Sequence, residues 1–205
     1  MDPYNLSRTN VYYIKDDEII KSANTSKLQV LVASYGGCAS NYINNLLKQK
    51  YNITDIWSQK LCHHIKPLNI ESISECVYIY RHPIIAVISQ WDRGIAENFY
   101  KIKDDEFYEL PFTFENLFYL MYLQMKNFKN INYKYRQILI KYEEAYKYET
   151  KLYNIFNINF KFNKIKPKDI DIFIKKHKID SSGKYYNEVI NYYNNMPDYY
   201  DSYYN

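Results

Sequence analysis

Two short polar segments, each following an apolar run, carry residue types that bind anions. The first is "SYGGCASNY" at 34–42, in which two glycines and two serines follow the β-prone run "LQVLVA". The second is "YRHPIIAVIS" at 80–89, in which Arg81 follows "CVYIY" closely and Ser89 ends the segment. Glycines let backbone N–H groups approach a ligand, and a guanidinium offers two parallel N–H donors to a phosphate. Each segment is therefore a candidate phosphate-binding site.

Each segment also has a plainer interpretation. The first could be a tight strand-to-helix turn with Ser40 as a capping residue. In the second, Arg81 could be a surface ion-pair partner and Ser89 an ordinary residue of a helix face. Ser89 lies about two helical turns after Arg81, so both side chains can also return to the same end of the element.

The elements that would position these segments follow from the apolar periodicity of the chain. Continuous β-prone runs predict strands buried in a parallel sheet, and runs of period 3.6 predict helices between them. Acidic residues between two short apolar runs at 11–21 suggest a hairpin, and Thr113 is a plausible helix N-cap. Strands are predicted at 28–34, 76–80 and 137–142, with a weaker one at 54–59, and helices at about 40–50, 83–98, 113–128 and 143–158.

This alternation predicts one α/β domain over residues 1–205 with a central parallel sheet, followed by a flexible tail at about 196–205. Ligands of open α/β sheets bind at the carboxyl ends of the strands, and both polar segments fall at such ends. The first segment also leads into a helix N-terminus, where exposed N–H groups and the positive end of the dipole favour an anion.

The composition suits an anionic ligand and falls short of a nucleic-acid-binding balance. The net charge is +4, and no stretch has the basic density of a nucleic-acid-binding arm. Three cysteines without metal-type spacing, and no apolar run of signal or membrane length, predict a reduced cytoplasmic protein with no metal and no membrane partner. The 26 tyrosines are typical of an AT-rich genome, cellular or viral.

Together the two segments resemble sulfotransferases that use 3′-phosphoadenosine 5′-phosphosulfate (PAPS). "SYGGCASNY" aligns without a gap on the family's "TYPKSGTTW" loop, and "YRHPIIAVIS" resembles its "YRNPKDVAVS" segment with the arginine-to-serine spacing kept. The run 138–158, "ILIKYEEAYKYETKLYNIFNI", is similar to the family's "RYEDL" strand and following helix. The resemblance covers about 28–160 and implies a three-layer α/β/α fold of the P-loop NTPase-like sulfotransferase type.

The resemblance also implies roles for individual residues. Arg81 and Ser89 would bind the 3′-phosphate, and Tyr42 would lie near the adenine. His64 of "KLCHHIKPL" (60–68) resembles the family's catalytic base, with His63 as the alternative; a metal site at Cys62, His63 and His64 is disfavoured because adjacent residues rarely converge on one ion. The 5′-phosphosulfate would be held by Gly36, Gly37, Cys38, Ala39, Ser40, Asn41 and Tyr42.

One departure from the family pattern bears on activity. Where the family usually has Lys or Arg in the first loop, this chain has Gly37, and Lys60, Lys66 or Arg93 would have to replace that cation. The main prediction is sulfuryl transfer from PAPS to a hydroxyl or amine of a small molecule, glycan or tyrosine. A catalytically degenerate nucleotide-binding or interaction protein of the same fold is the alternative, and a kinase is third because "GK[ST]" is missing.

Overall fold

A four-stranded, mostly parallel open sheet organises the protein. The structure, a computed structural model, describes residues 16–53, 63–94, 96, 111–129, 135–164 and 169–202. The sheet order is β1-β2-β3-β4, with β1, β2 and β3 parallel and β4 antiparallel to β3. The mixed α/β class is confirmed. The sheet was predicted to be parallel, but β4 is antiparallel. The strands are β1 Val30–Ala33, β2 Glu75–Tyr80, β3 Arg136–Lys141 and β4 Tyr199–Ser202.

Helices precede and connect these strands in the described part of the chain. Several begin where the sequence favours a helix start: Pro83 occupies the first turn of α3, and the Thr113 hydroxyl accepts from Asn116 N just before α4, which confirms the predicted cap. The helices are α1 Asp16–Thr25, α2 Ser40–Leu47, α3 Pro83–Trp91, α4 Phe114–Lys129, α5 Glu149–Phe156, α6 Ile170–His177 and α7 Lys184–Asn194, with a 3₁₀ helix at Tyr142–Tyr148.

The core lies against the sheet because its strands are buried along almost their whole length. Every residue of β1 is buried, as is β2 beyond Glu75, so both lack the apolar–polar alternation of a half-exposed sheet. On one face of β2, Tyr78 stacks on Phe128 of α4 with ring centroids 4.5 Å apart. Tyr80, two residues on and on the same face, contacts Tyr193 of α7. Helices α4 and α7 therefore cover this face.

The predicted hairpin at 11–21 is wrong from residue 16 onward, where the chain forms α1. Its buried residues are Ile19 and Ala23, four apart, which is the helical spacing rather than the alternation of a strand. Three acidic residues in its first turn, which suggested a turn between strands, instead lie at the positive end of the helix dipole.

The C-terminal segment predicted to be a flexible tail contains β4. Asp201 accepts two hydrogen bonds from Arg136 of β3, at 2.7 and 2.6 Å, and Lys141 pairs with Asp198 at 3.2 Å. These charges of β3 attract a polar strand that sequence periodicity alone does not mark. The weaker strand predicted at 54–59 lies outside the described residues. None of the helices in the described ranges has the length and apolar character needed to cross a bilayer.

Candidate anion site at the strand ends

The turn after β1 has the backbone of an anion-binding loop. Gly36, Gly37 and Ala39 have φ values of +90°, +70° and +67°, so the chain turns sharply before α2 begins at Ser40. The Ser34 hydroxyl donates to the Ser40 hydroxyl at 3.1 Å and accepts from Gly36 N at 3.2 Å. The Ser40 O–H can therefore donate to a ligand oxygen, while the N-terminus of α2 presents backbone N–H groups.

Gly37 packs against the backbone of α3. A Cβ at this position would lie 2.6 Å from the carbonyl oxygen of Ala86, which is closer than van der Waals contact allows. Gln90, one turn further along α3, donates to the carbonyl of Tyr35 at 3.1 Å. The loop after β1 and the helix after β2 are therefore in direct contact, and the position that aligns with the family cation has no room for a side chain.

Arg81, at the end of β2, reaches into the same loop. Its Nη1 donates to the carbonyl of Gly37 at 3.1 Å, and its backbone N–H donates to the Tyr35 hydroxyl at 2.9 Å. The residue is 7% exposed, and its Nε has no hydrogen-bond partner among the described residues. A buried guanidinium with an unused donor beside a glycine loop is an arrangement that an oxyanion would complete.

The end of β3 contributes two residues that the sequence analysis did not single out. The Tyr142 ring lies 5.1 Å from the Arg81 guanidinium carbon, and Glu143 Oε1 lies 3.6 Å from Arg81 Nε. Glu143 also accepts from His82 N at 3.1 Å and from the Tyr193 hydroxyl at 3.2 Å. The signal was present in "KYEE" (141–144), which spans the end of the third predicted strand, because parallel strand ends meet at one edge of a sheet.

Ser89 lies on the side of α3 that packs against the loop. It follows Ala86, which contacts Gly37, by three residues, so these two share one face of the helix, whereas Arg93 lies in the turn after the helix ends at Trp91. The Arg93 Nε donates to the Ser89 carbonyl at 2.8 Å. The structure thus brings Arg81 and α3, which carries Ser89, to the loop, and the exposed Arg93 follows that helix in a turn.

The two candidate histidines are both buried but are bound differently. His64 has its Nε2 3.1 Å from Asp16 Oδ1 and its Nδ1 2.9 Å from the Lys66 carbonyl, so both ring nitrogens are engaged. His63 lies nearer the loop, with its Nδ1 2.7 Å from the Ser34 carbonyl. That carbonyl places the proton on Nδ1 and makes Nε2 the basic nitrogen of His63.

The remaining predicted loop residues have structural contacts of their own. The buried Cys38 thiol donates to the Gly36 carbonyl at 3.1 Å, whereas Asn41 is exposed on α2. The Tyr42 hydroxyl bonds both the backbone N–H and the carbonyl of Lys161, each at 2.8 Å. Beside that contact lies a pocket of about 270 Å³, lined by Glu149, Thr150, Tyr153, Asn159, Phe160 and Lys161.

Burial changes the acid–base behaviour of two groups next to Arg81. It raises the pKa of the Tyr35 hydroxyl well above its usual value, so Tyr35 stays neutral and accepts from Arg81 N. Burial also lowers the pKa of His82, although the carboxylate of Glu143 opposes that shift. Both shifts favour the neutral forms of Tyr35 and His82 beside the guanidinium.

The candidates for the missing loop cation are unequally placed. Lys66 is exposed and lies 4.0 Å from Asp16, beside His64, whereas Arg93 is exposed in the turn after α3 and is bonded to the Ser89 carbonyl. Lys60 lies outside the described residues. In the described ranges, no three or more His, Cys, Asp or Glu side chains group together as metal ligands.

Comparisons with protein-family models, with curated proteins and with solved structures each find no match. The site must therefore be interpreted from its own geometry.

Proposed function

We propose that the protein binds PAPS at the ends of β1 and β2 and transfers its sulfuryl group to a hydroxyl or amine acceptor. The observation that carries the proposal is the bond from Arg81 Nη1 to the Gly37 carbonyl. This bond joins the two segments that we propose to bind phosphate, and it supports a single site for a nucleotide with separate 3′- and 5′-phosphates. The three-layer sulfotransferase fold inferred from the resemblance belongs to the same proposal.

Each phosphate position is assigned to one segment. Residues 36–42 hold the 5′-phosphosulfate through backbone N–H groups and the Ser40 hydroxyl, at the positive end of α2. Arg81 and Ser89 hold the 3′-phosphate; a guanidinium has five N–H donors, so the bond to Gly37 leaves others for the ligand. The pocket beside Tyr42 and Lys161 offers the adenine a partly aromatic surface.

The reaction is a displacement at sulfur. The acceptor oxygen or nitrogen forms a bond to sulfur while the sulfur–oxygen bond to the 5′-phosphate breaks, which releases adenosine 3′,5′-bisphosphate. Backbone N–H groups of the loop stabilise the departing phosphate, and a histidine takes the acceptor's proton. We assign this step to His63 rather than His64, because His63 Nδ1 lies 2.7 Å from the Ser34 carbonyl at the start of the loop, whereas His64 contacts Asp16 and Lys66.

One observation favours the alternative, a nucleotide-binding protein of the same fold without turnover. The carbonyl of Ala86 occupies the space that a loop lysine would need at position 37. Loss of such a cation weakens transition-state stabilisation by a few kcal/mol unless another group replaces it. Radiolabelled PAPS with a broad acceptor panel separates the two functions, since only the enzyme yields a labelled acceptor.

Calorimetric titration with adenosine 3′,5′-bisphosphate tests the shared part of both functions. We expect the wild-type protein to bind, and Arg81→Gln to bind about tenfold more weakly or worse because a charge-assisted bond to phosphate is lost. Lys176→Gln removes the same charge from an exposed site on α6 and is the control. Lack of binding by the wild-type protein at millimolar ligand, or equal losses in the two variants, would remove the proposal.

A further inference from the structure

Glu143 lies beside Arg81, where the proposed phosphate would also lie, and its carboxylate is negatively charged like a phosphate. We infer that Glu143 is a positioning residue: it is the internal counter-ion of Arg81, and it competes with a phosphate for the guanidinium. The inference rests on the proposed function in that it takes the nucleotide's 3′-phosphate to be the competing anion.

The carboxylate is held mainly by groups other than Arg81. His82 N donates to Oε1 at 3.1 Å, and the Tyr193 hydroxyl, from α7, donates to Oε2 at 3.2 Å. By contrast, Oε1 is 3.6 Å from Arg81 Nε, which is close enough for an ion pair but too long for a hydrogen bond. The carboxylate is thus fixed by two elements and faces a guanidinium whose Nε it does not satisfy.

This arrangement orients Arg81 while lowering the positive potential that it offers to a ligand. Tyr142 lies over one side of the guanidinium and Gly37 O accepts from Nη1, so Glu143 completes the surroundings of the side chain. The side chains of Arg81 and Glu143 are 8% and 22% exposed. Solvent and salt therefore screen their interaction less than that of a surface pair. A small anion that contacts only Arg81 therefore binds weakly, because Glu143 offsets the positive charge of that arginine. A ligand that also binds the loop after β1 is held at two points.

Glu143→Gln tests the competition without removing the contacts. A glutamine is nearly isosteric and its amide oxygen still accepts from His82 N, but the negative charge next to Arg81 is gone. We expect adenosine 3′,5′-bisphosphate to bind E143Q about tenfold more tightly than wild type, since a unit charge a few ångströms away has an effect of that order. The increase is diagnostic, because a residue with only a structural role would weaken binding when replaced.

Glu144→Gln is the matched control, since it removes the same charge from the next residue, which pairs with Lys147 instead. We expect its affinity to stay within about threefold of wild type because it has no contact with Arg81. Binding by E143Q that is weaker than wild type, or no tighter than that of E144Q, overturns the inference.

A second probe separates this inference from the proposed function. Inorganic pyrophosphate should raise the thermal midpoint of E143Q more than that of E144Q, because an anion that binds the folded state stabilises it. Failure of every protein to bind the nucleotide removes the proposed function, and the pyrophosphate shifts then decide the role of Glu143. If pyrophosphate raises the thermal midpoints of E143Q and E144Q equally, the inference is overturned. This comparison also holds if E143Q is less stable than wild type, because each shift is measured against the same variant without pyrophosphate.

Discussion

Gly37 is the residue whose replacement separates backbone strain from crowding. Its φ of +70° and that of Gly94, +65°, are nearly the same, but only Gly37 has a neighbour in the direction of a Cβ. Gly94→Lys should cost about 1–2 kcal/mol in unfolding free energy for the left-handed backbone. Gly37→Lys should cost at least about 2 kcal/mol more, because the helix must also move. Urea unfolding measures both, and equal losses would contradict the contact with Ala86.

His82 makes stability depend on pH through its buried ring. Burial lowers the pKa of His82 in the folded state, so the unfolded chain binds more protons as the pH falls through about 6.5. Its contribution to stability is therefore present at neutral pH and is lost progressively below that value. Urea unfolding from pH 8 to 5 should show this decline, and His82→Gln should flatten it. An unchanged slope in the variant would assign the decline to other groups.

At the scale of elements, the start of α7 depends on a side chain from α4. Glu115 Oε1 accepts from Tyr185 N at 2.8 Å, in the first turn of α7, where backbone N–H groups lack helical partners. Glu115→Ala should therefore lower the free energy of unfolding by about 1–2 kcal/mol.

Glu188→Ala on α7 is the control for that measurement. Glu188 has an ion pair with Lys184 at 4.0 Å, which contributes about 0.5 kcal/mol or less. Chemical denaturation of both variants compares the two effects. Equal losses would mean that the contact between Glu115 and Tyr185 does not stabilise α7.

The elements that the sequence predicted well are those whose burial is uniform. Strands β1, β2 and β3 each have a buried, mostly apolar centre, and each lies within a residue or two of its predicted bounds. Helix α3 ends at Trp91 rather than near 98, and the turn that follows contains Gly94, whose φ of +65° is left-handed. Strand β4, "YYDS", could not be predicted because it has no apolar pattern. Its position is determined by pairing with β3 and by the charges of Arg136 and Lys141.

The candidate site was predictable only as far as strand ends determine it. The order of elements is enough to expect the loop after β1 and Arg81 to share one edge. Other features of the site depend on how the helices pack. These are the contact between Gly37 and Ala86, the bonds to His64, and the hydrogen bond from Tyr193 to Glu143. Such packing joins residues far apart in sequence, and local patterns carry no information about it.

At the scale of the molecule, β4 should contribute to stability as part of the sheet. A chain ending at Met196 loses β4 and the carboxylates that face Arg136 and Lys141. We expect it to lose about 3 kcal/mol or more and to aggregate more readily, because β3 becomes an exposed edge. Asp201→Asn keeps the strand and should lose only about 1 kcal/mol. Urea unfolding and light scattering check both, and a truncated chain as stable as wild type would contradict this role.

The contact at Gly37 also constrains how a sequence like this one could change over generations. The obstructing atom is the main-chain oxygen of Ala86, so no residue type at position 86 would open the space. A lineage that carried glycine here could not regain a loop lysine by one replacement, because α3 would first have to withdraw. Selection for a cation near this loop would act instead on other positions, such as the exposed turn after α3 that already carries Arg93.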